Sequence, residues 1–447
     1  MQILILGAGD IGFQLARRLI QDGHDVTMVE VDVRRARRVN EQLDVLMVEG
    51  SATSMRVLRE ANLERMDVVA AMTTSDEVNL LACQMAKKAG VKSCIARVRN
   101  PEFTMPDTLL SPAELGIDMV IHPERETADA IDRLIRQSRA TDVIEFGEGR
   151  IHLLGVRLED DSPLLRTSLE ELFRKYNHPP VRITAIKRKQ QTIIPGPRDV
   201  LIPGDQIFAV AAPEYLPTFV ELTGQKDTRI ENVMILGGGL IGQFVARDLH
   251  GEVDVKIIES NVERSWQIAD RLPGILIIQG DGMDADLLAT EGILDMDAFI
   301  AVTGDDESNI IATLLAQHLG VPRTVALVNK MEYLPIMPTI GLGAVVSKQL
   351  LTVNAVLRAV RARQVASIAS VPGLDAEIIE YIAAPGSRIT KKPLREAGFP
   401  QHAIIGAVMH GDQLVIPMGD THIEAGDRAV VFALPHVIDS VEKFFRG

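Results

Sequence analysis

Apolar positions along this chain follow two rhythms. Short aliphatic runs alternate with stretches in which apolar residues recur every three or four positions. That is the pattern of buried parallel strands separated by amphipathic helices. In the first quarter the strand-like runs are Gln2–Leu6, Val26–Val29, Val45–Val48, Val68–Met72, Cys94–Val98 and Met119–Ile121. Helices are expected between them at Gly12–Gln21, Arg34–Gln42, Ser54–Ala61, Ser75–Ala89 and Pro106–Leu115, with a further helix, Glu124–Arg139, at the end. The alternation predicts a doubly wound parallel sheet of six strands.

From Asp142 the strands come closer together: Val143–Phe146, Ile151–Leu158, Val181–Lys187, Thr192–Ile194 and Gln206–Val210, with helices at Ser168–Tyr176 and Pro213–Leu222. This reads as a small α+β domain with mixed strand pairing. The polar stretch Thr223–Glu231 is the expected joint between halves. The second half then repeats the plan, with strands at Val233–Leu236, Val255–Ile258, Ile275–Ile278, Phe299–Val302, Thr324–Val328 and Val345–Val346. The expected organisation is α/β, two Rossmann-type sheets each followed by a small α+β domain, over residues 1–140, 141–225, 230–363 and 364–447.

The repeat carries chemistry. Gly7-Ala8-Gly9-Asp10-Ile11-Gly12 follows the first strand, and Gly237-Gly238-Gly239-Leu240-Ile241-Gly242 follows its counterpart 230 positions later. In such a turn the first glycine permits the tight bend, the second lets a pyrophosphate approach the backbone, and the third lets helix and strand pack closely. Phosphate then meets free N–H groups at the positive end of a helix. A strand–helix turn without ligand needs some of the same glycines. Glu30 ends the second strand, 23 positions after Gly7, where a carboxylate can accept both adenosine ribose hydroxyls and repel a 2′-phosphate. Glu259 holds the same place in the second half. Ser51 and Asp281, each after a glycine beyond the third strand, fit either an adenine edge or a simple turn. Thr73 and Thr303 end the fourth strands, facing the crevice or capping the next helix. Arg97 and Arg99 end the fifth strand, where the second half has Leu327 and Asn329, so the second site is expected to hold polyphosphate less well. Arg34, in the basic run Arg34-Arg35-Ala36-Arg37-Arg38, is a solvated position that can also face adenosine.

Composition narrows the partners. A chain of 447 residues that is 46% hydrophobic is globular and multidomain. Its net charge of −14 argues against sequence-independent nucleic-acid binding and against docking on anionic lipid, though not on a membrane protein. The two cysteines, Cys83 and Cys94, suit a reducing cytosol and read as small core residues. The apolar stretch Met1–Leu6 is too short for a signal peptide, and no apolar run reaches the roughly 18 residues of a membrane helix. No zinc-type His/Cys spacing, GxSxG elbow or P-loop occurs, so neither a metal centre nor a catalytic residue is assigned.

The segments ILGAGDIG, VLREANLERMDVVAAMTTSDEVNLLACQ and IARVRNPEF, with the acid at Glu30, resemble the peripheral nucleotide-binding subunits of Trk-type potassium uptake. The second-half segments VMILGGGLIG, TGDDESNIIATLLAQHLG and VVSKQLLTVNAVLRAVR resemble the second copy in the same family. SPLLRTSLEEL and IPGDQIFAV are similar to its carboxyl-terminal RCK domains. The resemblance runs over essentially the whole chain as RCK-N, RCK-C, RCK-N, RCK-C. It implies a non-enzymatic cytosolic homo-oligomer, a dimer of dimers, docked at the cytoplasmic face of the inner membrane on a potassium-translocating subunit of Trk type. NAD(H) or ATP/ADP would change its shape and gate ion flow. The contacts this implies fall on Gly7–Ile11, Glu30, Thr73, Thr74 and Arg97, and on Gly237–Ile241 and Glu259. Glu30 stands where the family commonly has Asp, and Asp305 and Leu327 distinguish the second site. An NAD-dependent oxidoreductase is the competing reading, and would need a general acid or base beside the nicotinamide. A soluble nucleotide sensor without a membrane partner is a third.

Overall fold

The computed structural model describes residues 1–446 apart from 106–107, 109–110, 137–141, 147–148, 177–178, 190, 225–229, 343, 362–364, 370 and 372–373. Residues 137–139 of the expected helix Glu124–Arg139 and most of the expected joint fall outside these.

Strands β1 (Gln2–Leu6), β2 (Asp25–Glu30), β3 (Leu46–Glu49), β4 (Val68–Ala71), β5 (Ser93–Arg97) and β6 (Met119–Ile121) pair in parallel in the order β3-β2-β1-β4-β5-β6. Helices α1 (Asp10–Gln21), α2 (Val33–Gln42), α3 (Met55–Glu60) and α4 (Asp76–Lys88) connect them, and α5 (Pro123–Arg136) follows β6. Of the helix expected at Pro106–Leu115, residues 106–107 and 109–110 lie outside the described residues, and residues 112–116 form turns rather than helix, preceded by a 3-10 turn at Pro101–Thr104. The prolines at 106 and 112 explain this: Met105, directly before Pro106, is extended (φ −66°, ψ 151°), as the residue before a proline prefers.

A five-stranded sheet comes next: β7 (Asp142–Phe146), β8 (Ile151–Arg157), β9 (Val181–Arg188), β10 (Gln191–Ile193) and β11 (Gln206–Ala211), in the order β10-β9-β11-β8-β7, with α6 (Leu169–Lys175) and α7 (Leu216–Leu222). Its pairs are antiparallel, not mixed as the sequence suggested. Helix α6 does return the chain so that β8 and β9 run the same way, but β11 inserts between them and pairs antiparallel with both.

The plan recurs. Strands β12 (Asn232–Leu236), β13 (Asp254–Glu259), β14 (Leu276–Gln279), β15 (Ala298–Ala301), β16 (Arg323–Leu327) and β17 (Val345–Val346) form a parallel sheet in the order β14-β13-β12-β15-β16-β17, with α8 (Leu240–Leu249), α9 (Val262–Arg271), α10 (Ala285–Thr290), α11 (Asp306–His318) and α12 (Lys348–Arg361). The last sheet has strands β18 (Val365–Ala369), β19 (Glu377–Ile382), β20 (Ala403–His410), β21 (Gln413–Val415) and β22 (Arg428–Ala433) in the order β18-β19-β22-β20-β21, with α13 (Leu394–Ala397) and α14 (Ile438–Phe445).

The chain divides into two compact units, Met1–Thr127 with Lys348–Ala362, and Ala128–Ser347 with Arg363–Gly447. In the first unit, alternation along β1 sends Leu4 and Leu6 to a core with Val29, Val69, Cys83 and Cys94. Ile3 and Ile5 face the other way, into a core with Leu15, Leu19 and Met28. That second core is completed by α12, whose Val353, Ala355, Val356, Leu357 and Val360 are buried in it. The sequence assigns α12 to the second repeat, yet its apolar face covers the first sheet. In the second unit the end of α5 is held in the same manner: Leu134 and Ile135 are buried, and Arg323 Nη2 on β16 donates to the Leu134 carbonyl at 2.9 Å. Also in this unit, the two antiparallel sheets share one core, with Phe146, Leu153, Ala185 and Phe208 packed with Ile378, Ala407, Met409 and Phe432.

Candidate functional site

The turn between β1 and α1 shows which glycines the fold requires. Gly7 has φ +101°, and a Cβ there would lie 3.1 Å from Thr73 N and Cα. A Cβ at Gly12 would come within 1.9 Å of the Gly7 carbonyl oxygen. Gly9 is different. Its φ is −65°, open to any residue, and a Cβ would meet no atom within 4 Å. The second turn repeats each feature: Gly237 at φ +110°, a Gly242 Cβ 2.0 Å from the Gly237 oxygen, and Gly239 with nothing within 4 Å. Packing explains the first and third glycines of each turn and leaves the second unexplained. Gly9 and Gly239 are also the N-caps of α1 and α8, and bring no side chain to the first turn of those helices. Ile11 and Ile241 are buried, so only their backbone can face a ligand. Asp10 is exposed at the start of α1, where the second repeat has Leu240.

Glu30 is buried and does more than end a strand. Its carboxylate accepts from the N–H of Ala8 at 2.6 Å and from those of Val31 and Asp32 at 2.9 Å. The extra methylene of Glu over Asp lets the acid reach back into the glycine turn. Three of about four acceptor positions are thereby used by the protein's own backbone. Glu259 repeats the tie, accepting from Gly238 N (3.0 Å) and Asn261 N (2.8 Å), and adds an ion pair with Arg264 at 3.4 Å.

At the ends of β4 and β5 a residue missed in the sequence organises the crevice. Asn79 on α4 is fully buried. Its Oδ1 accepts from Thr73 N (3.0 Å) and Thr73 Oγ1 (2.7 Å), and its Nδ2 donates to the carbonyls of Thr73 (3.1 Å) and Arg97 (2.8 Å). Asn309 does the same for Thr303 and the Leu327 carbonyl. The signal was present in both copies: an asparagine six positions after each threonine. Thr73 and Thr303 are not helix caps. Ser75 caps α4, and Asp305 caps α11 by accepting from Ser308 N, which gives Asp305 a structural task.

Arg97 is 8% exposed, and its Nη1 donates to the Thr73 carbonyl at 3.3 Å. Burial pushes its pKa down, offset in part by the Glu124 carboxylate. Arg99 is exposed and pairs with Glu124 at 3.3 Å. Thr74 is exposed beside Thr73. Ser51 bonds Thr53 Oγ1 at 3.0 Å, and Asp281 accepts from Met283 N at 2.9 Å, so both stabilise local turns. Arg34 is exposed in the first turn of α2, where its N–H is capped by Asp32. Cys83 and Cys94 are fully buried, and burial pushes the Cys94 thiol up to about 11. Among the described residues there is no group of three or more metal-ligating side chains, and no helix is long and apolar enough to cross a membrane.

Comparison with known proteins decides the family. The TrkA-N domain model matches residues 3–123 and 233–348, and the TrkA-C domain model matches 153–224 and 378–446. The chain belongs to the TrkA family. It is 36% identical over 447 residues to the Trk system potassium uptake protein TrkA homolog of Archaeoglobus fulgidus, covering 100% of both chains. It is 34% identical over 455 residues to TrkA homolog 1 of Methanosarcina mazei, again over 100% of each, and 34% identical to TrkA of Azorhizobium caulinodans over 100% of this chain and 99% of that one. Among solved structures, the GsuK RCK domain aligns over 99% of this chain and 94% of its own with a TM-score of 0.62, and the GsuK channel bound to NAD over 99% and 78% with the same score. At 20% identity these likenesses show the fold, that of tandem RCK domains.

Proposed function

We propose that this TrkA-family chain is a nucleotide-responsive regulatory subunit of a Trk-type potassium uptake system. The observation that carries the nucleotide site is the second glycine of each turn. Gly9 and Gly239 have ordinary backbone angles and open space beside them, so what makes a side chain unwelcome is a ligand approaching the backbone. The ligand is an adenine nucleotide, NAD(H) or ATP/ADP, its phosphates at the head of α1 and its base end towards Glu30. The names of the full-length relatives support a potassium-translocating membrane partner. The chain works at the cytoplasmic face of the membrane as a homo-oligomer, and does so by binding rather than catalysis. Nucleotide that prefers one assembly shape biases the partner towards the conducting or closed state. A tenfold preference supplies about 1.4 kcal/mol per site, so several coupled sites suffice to gate a channel.

Calorimetric titration of the full chain with NAD⁺, NADH, ATP and ADP tests this reading. Binding that disappears in a folded Gly9→Asp, Gly239→Asp double variant supports it. Equal binding in that variant removes the glycine turns as the site.

A further inference from the structure

Next to the first glycine turn lies a group of charges that the dinucleotide fingerprint leaves unexplained. Gly7 packs against the backbone of Thr73, and the Thr73 carbonyl takes the Arg97 hydrogen bond at 3.3 Å. The Arg97 Nε is buried without a partner. Beside it sits Glu124, 4% exposed, the second residue of α5. Its Oε1 is shared between Arg99 Nε at 3.3 Å and Lys348 Nζ at 3.4 Å, and its Oε2 is buried without a partner. Lys348 is the first residue of α12. The other acids nearby are already engaged: Asp76 accepts from the N–H groups of Arg99 and Asn100, and Glu126 pairs with Arg358 at 3.4 Å.

Two cations, Arg99 and Lys348, therefore share one carboxylate oxygen at long distance, and Arg97 feels the Glu124 charge without an ion pair to it. A buried guanidinium fork wants a bidentate oxyanion, and Arg97 has one long bond to a carbonyl. A buried carboxylate with a bare oxygen is costly in the same way. We propose that Arg97 and Lys348 bind the terminal phosphate of a nucleoside polyphosphate, and that Glu124 is the internal anion this phosphate displaces. The inference rests on the nucleotide reading of the first crevice and adds its ligand class. A terminal phosphate gathers three free oxygens and up to two charges on one phosphorus, where each phosphorus of a dinucleotide's pyrophosphate carries one charge, so it can satisfy the Arg97 fork and the Lys348 ammonium together while Arg99 keeps Glu124. The second repeat lacks the set: Leu327, Asn329 and Pro123 stand at the positions matching Arg97, Arg99 and Lys348. Because Lys348 heads α12, a phosphate that recruits it bears directly on the helix that covers the first sheet.

The test is calorimetric titration of the full chain with ATP, ADP, AMP and NAD⁺, without divalent cations, on wild type, Lys348→Gln, Lys348→Arg and Glu124→Gln. Lys348→Gln is expected to lose about tenfold or more in ATP affinity, one charge-assisted contact, while AMP is unchanged and Lys348→Arg is near wild type. Glu124→Gln is expected to bind ATP more tightly, because the competing anion is gone. Lys348→Met replaces the glutamine variant if that protein melts early. Equal ATP affinity in wild type and Lys348→Gln, an AMP loss as large as the ATP loss, or weaker ATP binding by a folded Glu124→Gln overturns the inference while leaving the nucleotide site standing. A wild type that binds none of the four overturns both.

Discussion

Asn79 holds Thr73 by three hydrogen bonds and, through a fourth to the Arg97 carbonyl, fixes the spacing of two strand ends that the crevice lies between. Asn79 is fully buried and its bond to the Arg97 carbonyl is buried, while the three bonds to Thr73 are partly buried, so water replaces them poorly when the amide is lost. Asn79→Ala is expected to destabilise the first unit by roughly 2–4 kcal/mol, the cost of leaving several buried backbone groups unpaired. Nucleotide affinity at the first site should fall with it, because Thr73 and Arg97 lose their placement. Chemical denaturation and titration on the same preparation check both. A variant of wild-type stability would show that these bonds are not the clasp.

The glycines of one turn should separate stability from binding. Gly12→Ala places a Cβ 1.9 Å from the Gly7 carbonyl and must shift backbone, at a cost of about 1–3 kcal/mol or more. Gly9→Ala meets no atom within 4 Å and should stay within roughly 0.5 kcal/mol of wild type. The same Gly9→Ala protein should bind nucleotide more weakly. Thermal melts with and without ligand resolve the two effects, and a destabilised Gly9→Ala would mean packing, not a ligand, requires that glycine.

The first sheet depends on a helix written in the other half of the sequence. Leu357 on α12 is 1% exposed in the core with Ile3, Ile5 and Met28. Leu357→Ala is expected to cost ~2–5 kcal/mol, the range for a buried leucine deletion. A chain ending at residue 347 should expose that face and aggregate. Stable, soluble behaviour of such a truncation would contradict the packing of α12.

Strand positions in both parallel sheets, and the helices apart from the one expected at Pro106–Leu115, were legible because aliphatic runs and glycine turns are local signals. Two further features of the fold were not. Antiparallel pairing in the small domains depends on where β11 inserts, a long-range choice that periodicity does not encode. The destination of α12 depends on which apolar face it covers, and Ile3, Ile5 and Leu15 look the same in sequence whatever covers them. At the site, Gly9, Glu30 and Arg97 stood out by type and spacing. Asn79, Glu124 and Lys348 act through contacts 6, 25 or 224 positions away, as in Thr73–Asn79, Arg99–Glu124 and Glu124–Lys348, and only the first of these recurs in both repeats.

Acid should weaken the fold before its carboxylates titrate. Burial pushes the pKa of His122 and of His152 down, partly offset by hydrogen bonds and by nearby acids. A histidine lowered in the folded state is protonated first in the unfolded chain. Stability is therefore lost as pH falls through the ordinary histidine value near 6.5, and the loss levels off below the folded values. Glu307, held at about 2 by hydrogen bonds from Lys330 and Tyr333, stays charged throughout that window and adds nothing to it. Denaturation midpoints between pH 7.5 and 5.5 should fall, and less steeply in His152→Gln. A rise on acidification would contradict the burial of these rings.

Potassium uptake in cells lacking this chain, under conditions where a Trk-type transporter is the main route, is the most direct measure of the whole proposal. Wild type should restore regulated uptake. The folded Gly9→Asp protein should restore less or none of it, because a side chain and a negative charge then occupy the phosphate approach at the first turn. Full uptake without the chain, or equal rescue by wild type and Gly9→Asp, would contradict a nucleotide-gated role in potassium transport.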